Sequence, residues 1–147
     1  MRGPVGDRLV WRPDQPEPAQ LIAGGSGIVP LMSIIRAVAG TVPVRLLYSA
    51  RNPADVIYPG ELAQRSRHPS LDVTYLYTRV AHGTAGPRAH YGRIDARAVD
   101  AATWRPEARP AIFVCGPSGF VEAASLLLVA AGHAPATVKT ERFGPTN

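Results

Sequence analysis

The sequence predicts an α/β fold, a parallel sheet of five strands with helices on both faces. Short apolar runs alternate along the chain with segments whose apolar residues recur at helical spacing, and strands that alternate with helices join through right-handed crossovers into a parallel sheet. Two of the strands run directly into glycine-bearing turns, Gly24-Gly25-Ser26-Gly27 and Gly116-Pro117-Ser118-Gly119. The 147 residues suffice for one domain with a core of its own.

The opening residues, Arg2 to Trp11, suggest a turn and a short strand, and Arg12 to Pro18 is a proline-rich connector with little capacity to pack. Gln20 to Ala23 is the first strand. Val29 to Ala39 is a helix whose Leu31, Ile34, Ile35 and Val38 share a face, and Gly40 ends it as a C-terminal cap. Pro43 to Ser49 is nearly continuous in apolar character, as a buried parallel strand should be. A short helix from Glu61 to Arg67 follows. Leu71 to Thr78 alternates and is rich in β-branched and aromatic residues, which makes it the third strand. Ala81 to Gly92 is a long glycine-bearing loop, of the kind that is more often functional than idle. A small helix spans Asp95 to Ala102, strand 4 spans Ala111 to Val114, a helix runs from Phe120 to Ala131 and stops at Gly132, and Thr137 to Phe143 is strand 5.

Composition excludes several classes. Hydrophobic residues make up 46% and charged residues 18%, a globular balance that argues against disorder. The net charge of +5 rests almost entirely on scattered arginines, Lys139 being the only lysine. With no basic run and no aromatic interleaving, a nucleic-acid partner is not expected, whereas a polyphosphate ligand or an acidic protein partner suits the balance. The longest apolar run, Leu126 to Ala131, is far too short for a membrane span, so no membrane association is expected. The one cysteine, Cys115, rules out an internal disulfide and fits a reducing compartment, with the cytoplasm as the default. His68, His82, His90 and His133 show no metal-ligand spacing; they are expected at the surface, and no metal site is expected.

Ligands of such sheets lie at the carboxyl ends of the strands, near the point where strand order reverses. That rim collects Gly24 to Gly27, Ser49 to Asn52, Thr78-Arg79 and Cys115 to Gly119. In the first turn, Gly25-x-Gly27-x-x-Pro30, the glycines place no side chain between backbone and ligand, and Pro30 has the fixed φ of a first helical turn. Free backbone N–H groups at the start of a helix make an anion site suited to phosphate or pyrophosphate. A structural glycine corner with no ligand reads the same in isolation, and the third glycine of the dinucleotide fingerprint is absent. That fingerprint also places an acidic residue about 20 positions on, against the ribose hydroxyls of NAD. Here Ser49 and Arg51 hold the strand tip, and Asp55 comes only after the turn. An arginine there suits a 2′-phosphate; a solvated loop charge is the alternative. A lone cysteine at a strand end, like Cys115, is by itself a small buried residue.

Taken together, Gly24-Gly25-Ser26-Gly27-Ile28-Val29-Pro30, Tyr48-Ser49-Ala50-Arg51, Thr78-Arg79, Gly92-Arg93-Ile94, Cys115-Gly116-Pro117-Ser118-Gly119-Phe120-Val121 and Glu141-Arg142-Phe143-Gly144 resemble, in order, the pyridine-nucleotide half of ferredoxin–NADP reductase-type flavoproteins. The resemblance runs from Ala19 to Thr146. It implies an open, doubly wound sheet in the order 3-2-1-4-5, NADPH or NADH bound across the strand ends, and hydride transfer to FAD. By position it places the pyrophosphate on Gly25 to Ile28, with Gly116 and Pro117 shaping the nicotinamide side and Gly24, Gly119 and Phe120 among the cofactor-binding residues. Cys115 lies against that ring, in a positioning role. Thr78 and Arg79 match a pair that holds the 2′-phosphate, so NADPH is expected to be preferred, and Tyr91 falls near a tyrosine that covers adenine. Glu141 and Phe143 fall beside flavin and nicotinamide, the alternative being a solvated Glu141 and a core Phe143.

The flavin-binding barrel of that family, with its Arg-x-Tyr-Ser or Arg-x-Tyr-Thr motif, is not found in this sequence. Residues 1–18 resemble the barrel's last strand and a linker, leaving 19–147 as the nucleotide-binding domain. FAD is therefore expected only through a flavin-binding domain in cis or in trans, which passes electrons to an acceptor protein. A nucleotide-binding module acting as a sensor or regulatory subunit is the alternative.

Overall fold

The computed structural model describes residues 17–38, 40–86 and 89–144. The expected strand and the connector before residue 17 lie outside the described residues. The described chain runs β1 (Ala19–Gly24), α1 (Ile28–Val38), β2 (Val44–Ala50), α2 (Pro59–Arg65), β3 (Leu71–Tyr77), β4 (Ala89–Tyr91), α3 (Ala96–Ala102), β5 (Ala111–Pro117), α4 (Ser118–Ala130) and β6 (Val138–Phe143). All neighbours pair in parallel, in the order β4-β3-β2-β1-β5-β6.

The five expected strands keep the order 3-2-1-4-5, and the class holds. The correction is the sixth strand. Inside the expected loop, Ala89 to Tyr91 pair with Tyr75 to Tyr77 and use the outer edge of β3. Three residues are too few to show a strand's alternation in sequence. The second glycine turn also contracts, because β5 continues through Pro117 and α4 begins at Ser118.

Side chains alternate across the central strands, as the period of two requires. Leu21, Ala23, Leu46, Tyr48, Phe113 and Cys115 join the core beneath α1 and α2. Ile22, Leu47, Ile112 and Val114 join the one beneath α3 and α4. Both faces of these strands are thus buried, which is why their sequences read as apolar runs. Asp95 caps α3 by accepting from the Ala98 amide at 2.9 Å, and Gly40 and Gly132 take the positive φ that lets α1 and α4 end sharply.

Polar groups close the end of the sheet away from the strand tips. Gln20, fully buried on β1, accepts from the Trp104 amide at 2.8 Å and donates to the Arg45 carbonyl at 3.1 Å. The Trp104 indole donates to the Ala19 carbonyl at 3.0 Å, and the Arg45 guanidinium lies 4.5 Å from the Trp104 ring centre. His133 is not at the surface, as expected from sequence, but 5% exposed, and its Nε2 donates to the Trp104 carbonyl at 3.2 Å. It caps a group that the protein would otherwise bury unpaired. Replacing Gln20 by Leu keeps the volume but strands the Trp104 amide and the Arg45 carbonyl. The expected loss is about 2–3 kcal/mol of stability, read from the midpoint of urea unfolding.

Candidate functional site

The strand tips of β1, β2, β3 and β5 converge on an open cleft of about 630 Å³. Its walls include Gly24, Gly25 and Ser26 from the first turn, Ser49 and Arg51 from the β2 tip, Thr78 after β3, and Pro117, Gly119 and Phe120 at the start of α4. These are among the residues expected at the rim. Ala50, Asp55 and Ile57 complete the cleft. A cavity of about 550 Å³ lies at the other end of β2 and β3, beside Val44, His68 and Leu71, away from the strand tips.

The three glycines of the first turn do different things. Gly25 has φ +55° and open space where a Cβ would be, so its backbone faces the cleft directly. A Cβ on Gly24 would come within 2.6 Å of the Phe120 ring, and one on Gly27 within 2.1 Å of the Cys115 carbonyl oxygen. Gly24 and Gly27 are therefore small for packing, a duty that the sequence does not reveal, and Gly24 lines the cleft as well. Gly25 to Gly27 form one 3₁₀ turn that leads into α1 at Ile28. Amides at a helix start have no acceptor within the helix, and Pro30, in the first turn of α1, has none to satisfy. Gly25 and Ser26 are exposed, while Ile28 is buried in the core beneath.

The wall opposite is the segment from Arg51 to Tyr58. Asn52 accepts from the Asp55 amide, and Asp55 binds Arg51 Nε at 2.7 Å. The buried Tyr48 hydroxyl accepts from the Ile57 amide at 2.8 Å. Tyr58 takes a left-handed conformation, φ 60°, as α2 begins, with Arg36 stacked 5.2 Å from its ring centre. Arg36 also grips Glu61 through two hydrogen bonds, and with Arg65 it lowers that carboxyl to about 2. Arg51, read in sequence as a candidate phosphate ligand or a solvated charge, is thus half of an ion pair inside the cleft. The nearest sequence signal was the Asn-Pro turn that brings Asp55 back to the strand tip.

The other candidates sit around this cleft and not in its walls. Cys115 is fully buried at the β5 tip, paired in register with Glu141. Burial, helped by the Glu141 charge, pushes its thiol up to about 12, so it stays neutral at physiological pH. Gly116 packs against the Gly24 backbone and Phe120. Phe143, in register with Pro117, is 37% exposed and is not core. Arg79 is exposed, and its amide bonds the Arg51 carbonyl at 2.9 Å. Tyr91 ends β4, where its hydroxyl accepts from the Ala85 amide and its ring stacks on His82 at 5.0 Å. No group of three or more His, Cys, Asp or Glu that could hold a metal occurs among the described residues. Nor is any described helix long and apolar enough to cross a membrane.

An open α/β sheet with a glycine turn and helix start at its switch point defines a dinucleotide-binding domain. Residues 21–125 match the oxidoreductase NAD-binding domain family, and the chain belongs to it, as the nucleotide-binding part of ferredoxin reductase-like flavoproteins. It is 32% identical over 130 residues to NADH-cytochrome b5 reductase 2-A of Vanderwaltozyma polyspora, an alignment covering 84% of this chain and 43% of that protein. It is 33% identical to the glycine betaine monooxygenase reductase subunit of Pseudomonas aeruginosa, covering 99% of this chain and 40% of that one. The structure of the Amycolatopsis cytochrome P450 reductase GcoB superposes with a TM-score of 0.78 at 27% identity, over 99% of this chain and 44% of that chain. The chain spans less than half the length of each of these three proteins.

Two tests follow from the packing beneath the cleft. Gly27→Ala drives a methyl group into the Cys115 carbonyl and should lower the thermal midpoint with a loss of about 3 kcal/mol, whereas Ser26→Ala on the exposed turn should leave it unchanged. Cys115 should resist alkylation by iodoacetamide at pH 8.5 in the folded protein and react fully once urea exposes it; modification at equal rates in both states would contradict its burial.

Proposed function

We propose that this chain binds NADPH or NADH at its strand tips and presents the nicotinamide for hydride transfer to an FAD held by a flavin-binding domain, in cis or in trans, which passes electrons to an acceptor protein. The observation that carries the reading is the turn Gly25 to Gly27, whose exposed Gly25 and Ser26 line the cleft where four strand tips meet. The cleft volume suits a ligand of this size. Two relatives support the flavin partner: each is a named reductase, and each extends well beyond the part this chain covers.

When bound, the dihydronicotinamide supplies the hydride. The protein's share is binding and orientation. The amides of the Gly25 to Gly27 turn hold the pyrophosphate, with no cationic side chain needed, while the Ile28 amide bonds back to the Gly25 carbonyl. Phe120, wedged between Gly24 and Gly116, ties the β1 and β5 tips together and floors the cleft. Cys115, as a neutral thiol, supplies shape and no nucleophile. Val29, 46% exposed on the first turn of α1, and Phe143 are apolar groups at the tip end that a flavin domain would cover.

Ser26→Asp places a negative charge on the turn without touching the core. It should weaken nucleotide binding at least about tenfold by calorimetry, with an unchanged circular dichroism spectrum; unaltered affinity would remove the pyrophosphate from this turn. With a flavin domain supplied, Cys115→Ala should slow flavin reduction about tenfold in stopped flow while nucleotide affinity holds. An unaffected rate would make Cys115 a packing residue alone.

A further inference from the structure

The cleft does not end at Phe120. A second cavity of about 440 Å³ shares Ser49, Thr78, Gly119 and Phe120 with it and adds Arg93, Ile94 and Ala123. Its walls divide by chemistry. Ile94, Phe120 and Ala123 give an apolar surface on which a flat base can lie, while Thr78 contributes a hydroxyl and Arg93 a guanidinium. The backbone that carries Arg93 is fixed on both sides: the Gly92 amide bonds the Tyr77 carbonyl at 2.9 Å, and Asp95 caps α3 two residues later.

Three arginines stand near the tips of β2, β3 and β4, and their surroundings differ. Arg51 lines the first cavity, but Asp55 lines it too and pairs with Arg51 at 2.7 Å, so that corner is close to neutral. Arg79 lines neither cavity. Arg93 lines the second, is exposed, and has no hydrogen-bond or ion-pair partner among the described residues. A guanidinium without a partner at the mouth of an apolar slot is the arrangement that can give two parallel charge-assisted hydrogen bonds to a phosphate.

Resting on the nucleotide-binding reading above, we propose that Arg93 is the specificity-determining residue of this cleft. Its guanidinium takes the 2′-phosphate of NADPH while the adenine lies against Ile94 and Phe120. Thr78 adds a neutral hydrogen bond, and neither Arg51 nor Arg79 supplies the discriminating charge. This departs from the Thr78-Arg79 pair that the family resemblance implies.

Calorimetric titration of the 147-residue chain with NADPH, NADH and adenosine 2′-monophosphate tests it. The parent should prefer NADPH. Arg93→Ala should weaken NADPH and adenosine 2′-monophosphate by roughly ten- to a hundredfold and leave NADH within about twofold. Arg93→Lys should recover part of the loss, and Arg51→Ala and Arg79→Ala should leave the NADPH-to-NADH ratio in place. A parent that binds NADH as tightly as NADPH overturns the proposal while leaving the nucleotide reading intact. So does a preference that survives Arg93→Ala and vanishes in Arg79→Ala. A parent that binds neither dinucleotide defeats the nucleotide reading itself, and the role of Arg93 with it.

Discussion

The approach of the Gly27 backbone to the Cys115 carbonyl is the contact on which the rest of the site depends. No side chain fits between them, since a Cβ would lie 2.1 Å from the oxygen. That close approach lets the turn before α1 sit directly against β5, so the glycine turn and the strand tip that carries Cys115 become one packed surface. Gly24 and Gly116 extend the same logic by making room for the Phe120 ring between the two strands. Glycine here is less a source of flexibility than a way to bring backbones together, and interiors packed this tightly respond to a single added methyl.

The other side of the cleft is held by polar contacts. From Arg51 to Glu61 the chain is fixed at almost every other residue: an ion pair at Asp55, a tyrosine hydroxyl at Ile57, an arginine over Tyr58 and two arginines on Glu61. Each exposed pair alone is worth little, because solvent screens it and ordering the side chains costs entropy. Their shared effect is to hold a segment with a single 3₁₀ turn, the start of α2 and a left-handed tyrosine beside the cleft. A cleft with one wall of packed backbone and one of charged clamps keeps its width before a ligand arrives, and preorganisation of this kind lowers the cost of binding.

Much of this was legible in the residues. Gln20 to Ala23, Pro43 to Ser49 and Ala111 to Val114 announce strands in the sequence because both faces of the sheet they form are covered, and the glycine turns mark the tips. What stayed hidden is what depends on contacts distant in sequence. β4 has only three residues, and its reason to be a strand is the open edge of β3. His133 shows no ligand spacing, which points to the surface; only the fold reveals the Trp104 carbonyl that it satisfies from 29 positions away. Gly27 reads only as space for a ligand, since nothing local reveals that β5 passes beside it. Asp55 was seen as lying beyond the turn, and that turn is what returns it to Arg51. The set of rim residues could be found from motif and topology, but their individual duties could not.

The margins of the sheet bear on how the domain behaves in a crowded solution. Among the described residues one edge is β4, three residues long, and the other is β6, which exposes Lys139 and Arg142. Edge strands that are short or charged are poor templates for the backbone of another chain. The strongly apolar β1, β2 and β5, which would aggregate if bared, are each flanked by strands on both sides. Of the large apolar side chains that stay exposed, Val29 and Phe143 lie at the strand tips and Leu126 and Val129 lie on α4, so the sticky surface left to other proteins is divided between the tip end of the sheet and one helix.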